Sequence, residues 1–90
     1  MAVEERTVQI RNELGLHARP AAEFVRVAGK FMCSIDVCKD DGPSINGKSI
    51  LGLMTLAAEC GSSLTIRADG DDAAAALEAL EALIRNGFGE

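Results

Sequence analysis

The chain has 90 residues, enough for a single domain spanning residues 1–90, and 48% hydrophobic with 26% charged residues is typical of globular proteins. This composition excludes a disordered tail, a collagen-like fibre and a disulfide-stapled miniprotein. The 14 acidic and 9 basic residues give a net charge of −5, and three Phe with no Tyr or Trp supply few stacking platforms, so nucleic-acid binding is not expected.

The first part of the chain predicts a strand, a loop and a helix. Residues 7–11 alternate polar and apolar side chains, as in a half-buried strand, and residues 12–15 form a loop. Apolar residues then repeat at helical spacing, with Pro20 tolerated in the first turn and Gly29 as the stop. The predicted apolar face of this helix consists of Ala18, Ala21, Ala22, Val25 and Ala28.

The next segment predicts two strands joined by a turn. Residues 33–38 alternate again, with apolar side chains at every second position. Residues 40–43, with the sequence DDGP, are typical of a turn. Residues 44–46 leave room only for a short third strand.

The last part predicts a short helix, a strand and a longer helix. Ser49 is the predicted N-cap of the second helix and Gly61 its end, with a core stripe of Ile50, Leu53, Met54 and Ala57. Residues 63–68 alternate as a fourth strand. Acidic residues within 69–72 open the last helix, which ends at residues 86–87 and has an apolar stripe of Ala73, Ala76, Leu77, Leu80, Leu83 and Ile84.

The predicted element order is β-α-β-β-α-β-α. Each strand has one apolar face and each helix one apolar stripe, and a single sheet with all helices on one side buries both. We therefore expect an α+β fold, an open-faced β-sandwich with a four-stranded, mostly antiparallel sheet and three helices on one face.

Several features indicate a cytoplasmic protein without a bound cofactor. The sequence contains no run of about 18 apolar residues, the length that a membrane-spanning helix needs. The N-terminal sequence MAVEER is too charged for a signal peptide. Cys33, Cys38 and Cys60 are odd in number and lack C-x-x-C spacing, so neither a disulfide framework nor a metal site is expected. We interpret them as small apolar side chains.

The only histidine, His17, lies where the loop becomes the first helix. A helix start presents unpaired backbone N–H groups and the positive end of the macrodipole, which together favour anions. Arg19 adds a guanidinium whose planar fork matches phosphate oxygens. These residues favour an imidazole that takes and holds a phosphoryl group. The plain alternative is a surface histidine at a helix start with no chemical role.

Two segments resemble the HPr family, the histidine-containing phosphocarriers of the bacterial phosphoenolpyruvate-dependent sugar phosphotransferase system. GLHARPAA at residues 15–22 resembles the active-site signature, and NGKSILGLMTLAA at residues 46–58 resembles the serine signature. The resemblance extends from about residue 6 to residue 85. The family fold, an open-faced β-sandwich, agrees with the pattern of strands and helices.

The resemblance implies a stoichiometric carrier without autonomous catalysis. His17 would accept a phosphoryl group on Nδ1 from enzyme I and pass it to an EIIA-type protein. Arg19 would orient the phosphoryl oxygens, and the backbone N–H groups of Ala18 and Arg19 would bind them. A monomer is expected. Two alternatives stay open: a regulatory carrier in a nitrogen-type or incomplete phosphotransferase chain, and a non-catalytic binding domain with an inert His17.

Ser49 has two interpretations. As an N-cap it satisfies a backbone N–H of the second helix. It also resembles the serine that HPr kinase/phosphorylase phosphorylates in some bacteria. Phosphate at this position would add negative charge to the docking face and weaken binding to enzyme I.

A third set of residues resembles the family's partner-docking surface. Ile50, Leu51 and Met54 match its apolar patch, and Arg26 and Lys48 are basic residues that would steer acidic partners towards it. The alternatives are that Ile50 and Met54 belong to the core stripe and that the basic side chains are ordinary solvated charges.

Overall fold

The structure is a computed structural model that describes residues 3–89. Its elements follow the predicted order: β1 (Val3–Gln9), α1 (Ala18–Ala28), β2 (Ser34–Lys39), β3 (Ile45–Asn46), α2 (Ile50–Thr55), β4 (Ser63–Asp69) and α3 (Ala73–Arg85). A short 3-10 turn, Gly87–Gly89, follows α3. None of the helices described between residues 3 and 89 is long and apolar enough to cross a membrane.

The four strands form one sheet in the order β1-β4-β2-β3, and every neighbouring pair is antiparallel. On the central strand β4, Leu64, Ile66 and Ala68 are buried while Arg67 points to the opposite, exposed face. This alternation places the apolar side chains under the helices and leaves the other face to solvent. The predicted open-faced α+β class is confirmed.

Helix α3 packs on β1 and β4, and α1 packs on both α2 and α3. The predicted stripe of α3 is confirmed: all of its members are fully buried except Leu83, which is partly buried. A long periodic helix buries its stripe as predicted because 13 residues define one face without ambiguity.

The predicted apolar face of α1 is partly wrong. Ala18 and Ala22 are exposed, and the buried side chains are Pro20, Ala21, Phe24 and Ala28. Phe24 decides the orientation because burial of one aromatic ring removes far more apolar surface from water than burial of two methyl groups. The rotation leaves Ala18 in solvent at the start of the helix.

Helix α2 is shorter than predicted. It ends at Thr55 instead of continuing to Gly61, and Ala57 then adopts a left-handed backbone conformation with φ +50°. Of the predicted stripe only Leu53 is buried, and the next buried side chain is Ala58, after the helix has ended. The stripe prediction was wrong because a six-residue helix has one inward position.

The first strand also differs from the prediction at both ends. It begins at Val3 and ends at Gln9, whereas residues 7–11 were predicted. Ile10 lies just beyond the strand but remains buried. Its N–H donates to the Ser62 carbonyl at 2.8 Å and its carbonyl accepts from the Gly61 N–H at 2.9 Å, so the pairing continues into the loop that leads to α1.

Candidate functional site

The loop before α1 is pressed against the segment that follows α2. Gly15 has φ +70°, and a Cβ built there would overlap the Ala58 carbonyl oxygen and lie 2.9 Å from the Cα of Glu59. The next N–H, from Leu16, donates to the same Ala58 carbonyl at 2.8 Å, and the Leu16 side chain is buried. A glycine is required at position 15 by both the backbone conformation and the close approach.

His17 is the N-cap residue of α1. Its backbone is extended, and its carbonyl accepts the N–H of Ala21 at 3.0 Å. Among the described residues of the first turn, 18–21, none donates a cap hydrogen bond to the His17 side chain. The side chain is half-buried. The imidazole therefore stands at the start of α1.

The start of α1 offers donors to an anion. The first N–H groups of a helix have no intrahelical carbonyl, and here Pro20 carries no N–H, so Ala18 and Arg19 provide the donors of the first turn. Both residues are exposed. The structure thus places the imidazole, two backbone donors and a guanidinium on three consecutive residues, where the helix macrodipole also favours negative charge.

Ser49 is the N-cap of α2, as predicted. Its Oγ accepts the N–H of Gly52 at 3.0 Å, and the side chain is half-buried. Beside it lie exposed apolar side chains: Leu51 is 74% exposed, Ile50 43% and Met54 42%. Since α1 and α2 pack together, this apolar patch belongs to the same layer as the start of α1.

The two predicted basic docking residues are engaged within the chain. Arg26 forms a two-pronged ion pair with Glu23, with Nη2 at 2.8 Å and Nε at 3.2 Å from the carboxylate oxygens. The hydrogen bond from Arg26 lowers the pKa of Glu23, and the same hydrogen bond to the Glu23 carboxylate raises the pKa of Arg26. Lys48 donates from Nζ to the Phe31 carbonyl at 2.7 Å. Partners would compete with these contacts.

Two residues near His17 were not singled out from the sequence. Leu14 is 74% exposed and lies three residues before His17; a single leucine in a polar loop is the signal that could have identified it. Asn12 is buried at 6% exposure, and its Nδ2 donates to the Gly15 carbonyl at 2.6 Å. A buried asparagine in a predicted loop leaves no pattern, because its burial depends on distant segments.

The three cysteines are free thiols that differ in exposure. Cys33 is buried, Cys38 half-buried and Cys60 exposed. Burial raises the pKa of the Cys33 thiol, and the neighbouring Asp72 carboxylate raises it further. Within residues 3–89, no three His, Cys, Asp or Glu side chains are grouped so that they could hold a metal ion.

Comparisons with known proteins agree with this geometry. The sequence matches the family described as the PTS HPr component phosphorylation site over residues 4–86. Phosphocarrier protein HPr of Cupriavidus necator is 44% identical over 86 residues, which are 96% of each chain. The crystal structure of HPr-C-His from Thermoanaerobacter tengcongensis superposes with a TM-score of 0.91 at 47% identity over 97% of each chain.

A second structure from that organism is also similar to this chain. The HPr dimer from Thermoanaerobacter tengcongensis gives a TM-score of 0.76 at 46% identity, and the match covers 97% of this chain and 99% of that one.

The sequence match, the near-complete coverage and the shared architecture leave one assignment. The chain belongs to the HPr family, the phosphocarriers of the phosphotransferase system.

Proposed function

We propose that His17 carries the phosphoryl group, and that the chain acts in the cytoplasm between enzyme I and an EIIA-type protein. The Nδ1 lone pair of the neutral imidazole attacks the phosphorus of phosphohistidine in enzyme I. The new P–N bond forms as the old one breaks, and the electron pair of the old bond stays on the donor imidazole. Transfer to a histidine of the EIIA-type protein repeats the exchange with this chain as donor.

One observation carries the proposal: the half-buried His17 occupies the N-cap position of α1, directly before the exposed residues Ala18 and Arg19. Phosphoryl transfer is catalysed mainly by positioning and by stabilisation of charge on the equatorial oxygens. Backbone donors at a helix start are fixed in place, so they need no reorganisation when the charge arrives. Arg19 adds a guanidinium whose planar fork matches phosphate oxygens.

The exposed apolar patch of Ile50, Leu51 and Met54 supports docking beside His17. A transient interface needs a modest apolar centre surrounded by polar groups, and the patch stands next to the half-buried Ser49 and Lys48. Leu51 exposes the most surface of the three. We assign it the central contact with enzyme I and with the EIIA-type acceptor.

Ser49 is proposed as a regulatory site for HPr kinase/phosphorylase. Its Oγ accepts a hydrogen bond from Gly52, which leaves the hydroxyl free to serve as donor or nucleophile. A phosphate on Oγ would place about two negative charges beside Ile50 in the docking patch. We expect that change to weaken docking by electrostatic repulsion from acidic partners.

Phosphorylation by enzyme I and phosphoenolpyruvate tests the role of His17. The wild-type chain is expected to gain the mass of one phosphoryl group, which is lost in acid. His17→Ala abolishes the gain, Arg19→Ala slows it, and Ser49→Ala leaves it intact. An acid-labile gain in His17→Ala would place the acceptor elsewhere and contradict the proposal.

The regulatory site and the acceptor need separate experiments. HPr kinase and ATP are expected to give an acid-stable phosphate that Ser49→Ala lacks; no acid-stable product would remove this claim. Phosphorylated chain offered to a sugar-type and a nitrogen-type EIIA protein in parallel distinguishes a transport role from a purely regulatory one, and we propose preference for the sugar type. Light scattering tests the predicted monomer against a dimer.

A further inference from the structure

We propose that Asn12 is a positioning residue that fixes the acceptor loop, and this inference rests on the proposed role of His17. Asn12 and Gly15 are joined twice. The Asn12 Nδ2 donates to the Gly15 carbonyl at 2.6 Å, and the Gly15 N–H donates to the Asn12 backbone carbonyl at 3.1 Å. Because Asn12 is buried, its amide is shielded from competing water and the bond is worth more than one on the surface.

The far side of Gly15 is fixed as well. The Ala58 carbonyl blocks any Cβ at Gly15 and accepts the N–H of Leu16, so the Gly15–Leu16 peptide lies between Asn12 and Ala58. Only one peptide unit separates this clamped segment from the acceptor. The direction of the His17 Cα–Cβ bond is therefore set by the two clamps.

The C-terminal turn lies close to Asn12. Gly87 has φ +62°, and a Cβ built on it would lie 3.8 Å from the Asn12 Cβ, so the turn lies close to this side chain. Phe88 follows with φ +58° and is buried in the core. A non-glycine residue holds such a conformation only where packing over-determines it. The buried ring of Phe88 thus anchors the turn that lies close to Asn12.

Placement of the imidazole matters because the reacting nitrogens of two proteins must align with the phosphorus. A displacement of about 1 Å from a reactive geometry can cost up to about 100-fold in rate. Removal of the Asn12 amide frees the Gly15 carbonyl and lets the loop move, while α1 and α2 keep their docking surface. The expected effect is about a tenfold lower kcat for phosphorylation by enzyme I, with KM changed by less than about twofold.

The experiment compares Asn12→Ala with three other variants. Asn12→Asp keeps the shape of the side chain and removes the Nδ2 donor. Glu13→Ala changes an exposed neighbour in the same loop. Ile66→Ala destabilises the sheet core away from the loop. Each variant is assayed as acceptor from enzyme I, with rates normalised to the folded fraction, and the ring signals of His17 are followed by NMR without enzyme I.

The inference requires a lower kcat and displaced or broadened His17 ring signals in both Asn12 variants, with neither effect in Glu13→Ala or Ile66→Ala. A wild-type kcat in the Asn12 variants overturns it, as does an equal loss in Ile66→Ala. Failure of the wild-type chain to be phosphorylated at His17 would instead reject the proposed function, whereas the NMR signals still report whether Asn12 positions the ring.

Discussion

The backbone N–H of Leu16 donates a hydrogen bond to the carbonyl oxygen of Ala58 at 2.8 Å. Leu16 directly precedes His17, and Ala58 follows α2, so this bond joins the two segments that resemble family signatures. The loop that carries His17 and the helix that carries the exposed apolar patch are therefore held in a fixed relative position. A change at the junction is expected to disturb transfer even though it touches neither the imidazole nor the patch.

Gly15→Ala tests this junction. The substitution places a Cβ against the Ala58 carbonyl and also forces alanine into a left-handed conformation. We expect a free energy of unfolding lower by more than about 2 kcal/mol, because the left-handed conformation alone costs about 1–2 kcal/mol. Phosphorylation by enzyme I is expected to slow. Urea unfolding and the initial rate of phosphorylation measure the two effects.

Gly61→Ala is the matched control for this prediction. Gly61 has φ +95°, but a Cβ built there meets nothing within 4 Å, so the variant carries the conformational cost without the overlap. It is expected to lose about 1 kcal/mol and to keep the wild-type rate. Equal losses of rate in the two variants would show that the contact with Ala58 is irrelevant to transfer.

The sequence predicted the elements whose pattern repeats over many residues. Strand β4 alternates without interruption and α3 keeps one stripe over 13 residues, so local periodicity alone identifies their buried sides. The location of His17 and Arg19 at the start of α1 was also predictable, because it depends only on where the helix begins. Ser49 as N-cap followed from the same local rule.

The features that the sequence did not predict depend on distant segments. The end of α2 is set by Ala57, a non-glycine residue in a left-handed conformation, where no glycine or proline marks a stop. The orientation of α1 is set by Phe24, whose burial requires the completed sheet. Asn12 is buried between its own loop and the C-terminal turn, which lie 75 residues apart in the chain (positions 12 and 87).

Leu51→Glu is expected to weaken docking without altering the chemistry at His17. Leu51 is 74% exposed, so its replacement costs little stability, but a carboxylate would enter the apolar centre of the proposed interface. We expect KM for phosphorylation by enzyme I to rise about tenfold, with kcat nearly unchanged. Ala75→Glu adds the same charge on an exposed position of α3. A similar rise in KM in both variants would show that the added net charge, and not a contact made by Leu51, causes the weaker docking.

Glu23→Gln is expected to strengthen encounter with acidic partners. The carboxylate of Glu23 holds Arg26 in a two-pronged ion pair, and its removal frees the guanidinium. KM for enzyme I should fall about twofold at low salt, and the gain should vanish at high salt, where surface charges are screened. Glu78→Gln on the exposed side of α3 makes the same change in net charge. An equal fall of KM in Glu78→Gln would argue against a local role of Arg26.

Asp72→Asn is expected to change how stability depends on pH. The Asp72 carboxylate accepts the N–H groups of Met32 at 2.8 Å and Cys33 at 2.9 Å, and the bond from Met32 is the main cause that lowers its pKa. The pKa of Asp72 in the folded state lies below the unfolded value of about 3.9. The ionised carboxylate therefore stabilises the fold fully at pH values above the unfolded pKa. This contribution is lost as the pH falls through the folded pKa.

Wild type should therefore exceed Asp72→Asn in free energy of unfolding at neutral pH, with a constant difference down to about pH 4 that closes below it. Urea unfolding across a pH series measures the difference. The pKa values of Glu23 and Glu81 are also lowered, but their contributions to the pH dependence cancel because both proteins contain these residues. Asp71→Asn removes the same charge from the exposed neighbour and is the matched control for net charge. A difference that persists unchanged into acid would contradict the role assigned to the ionised carboxylate, since asparagine matches aspartate in shape and lacks only the charge and the second acceptor oxygen.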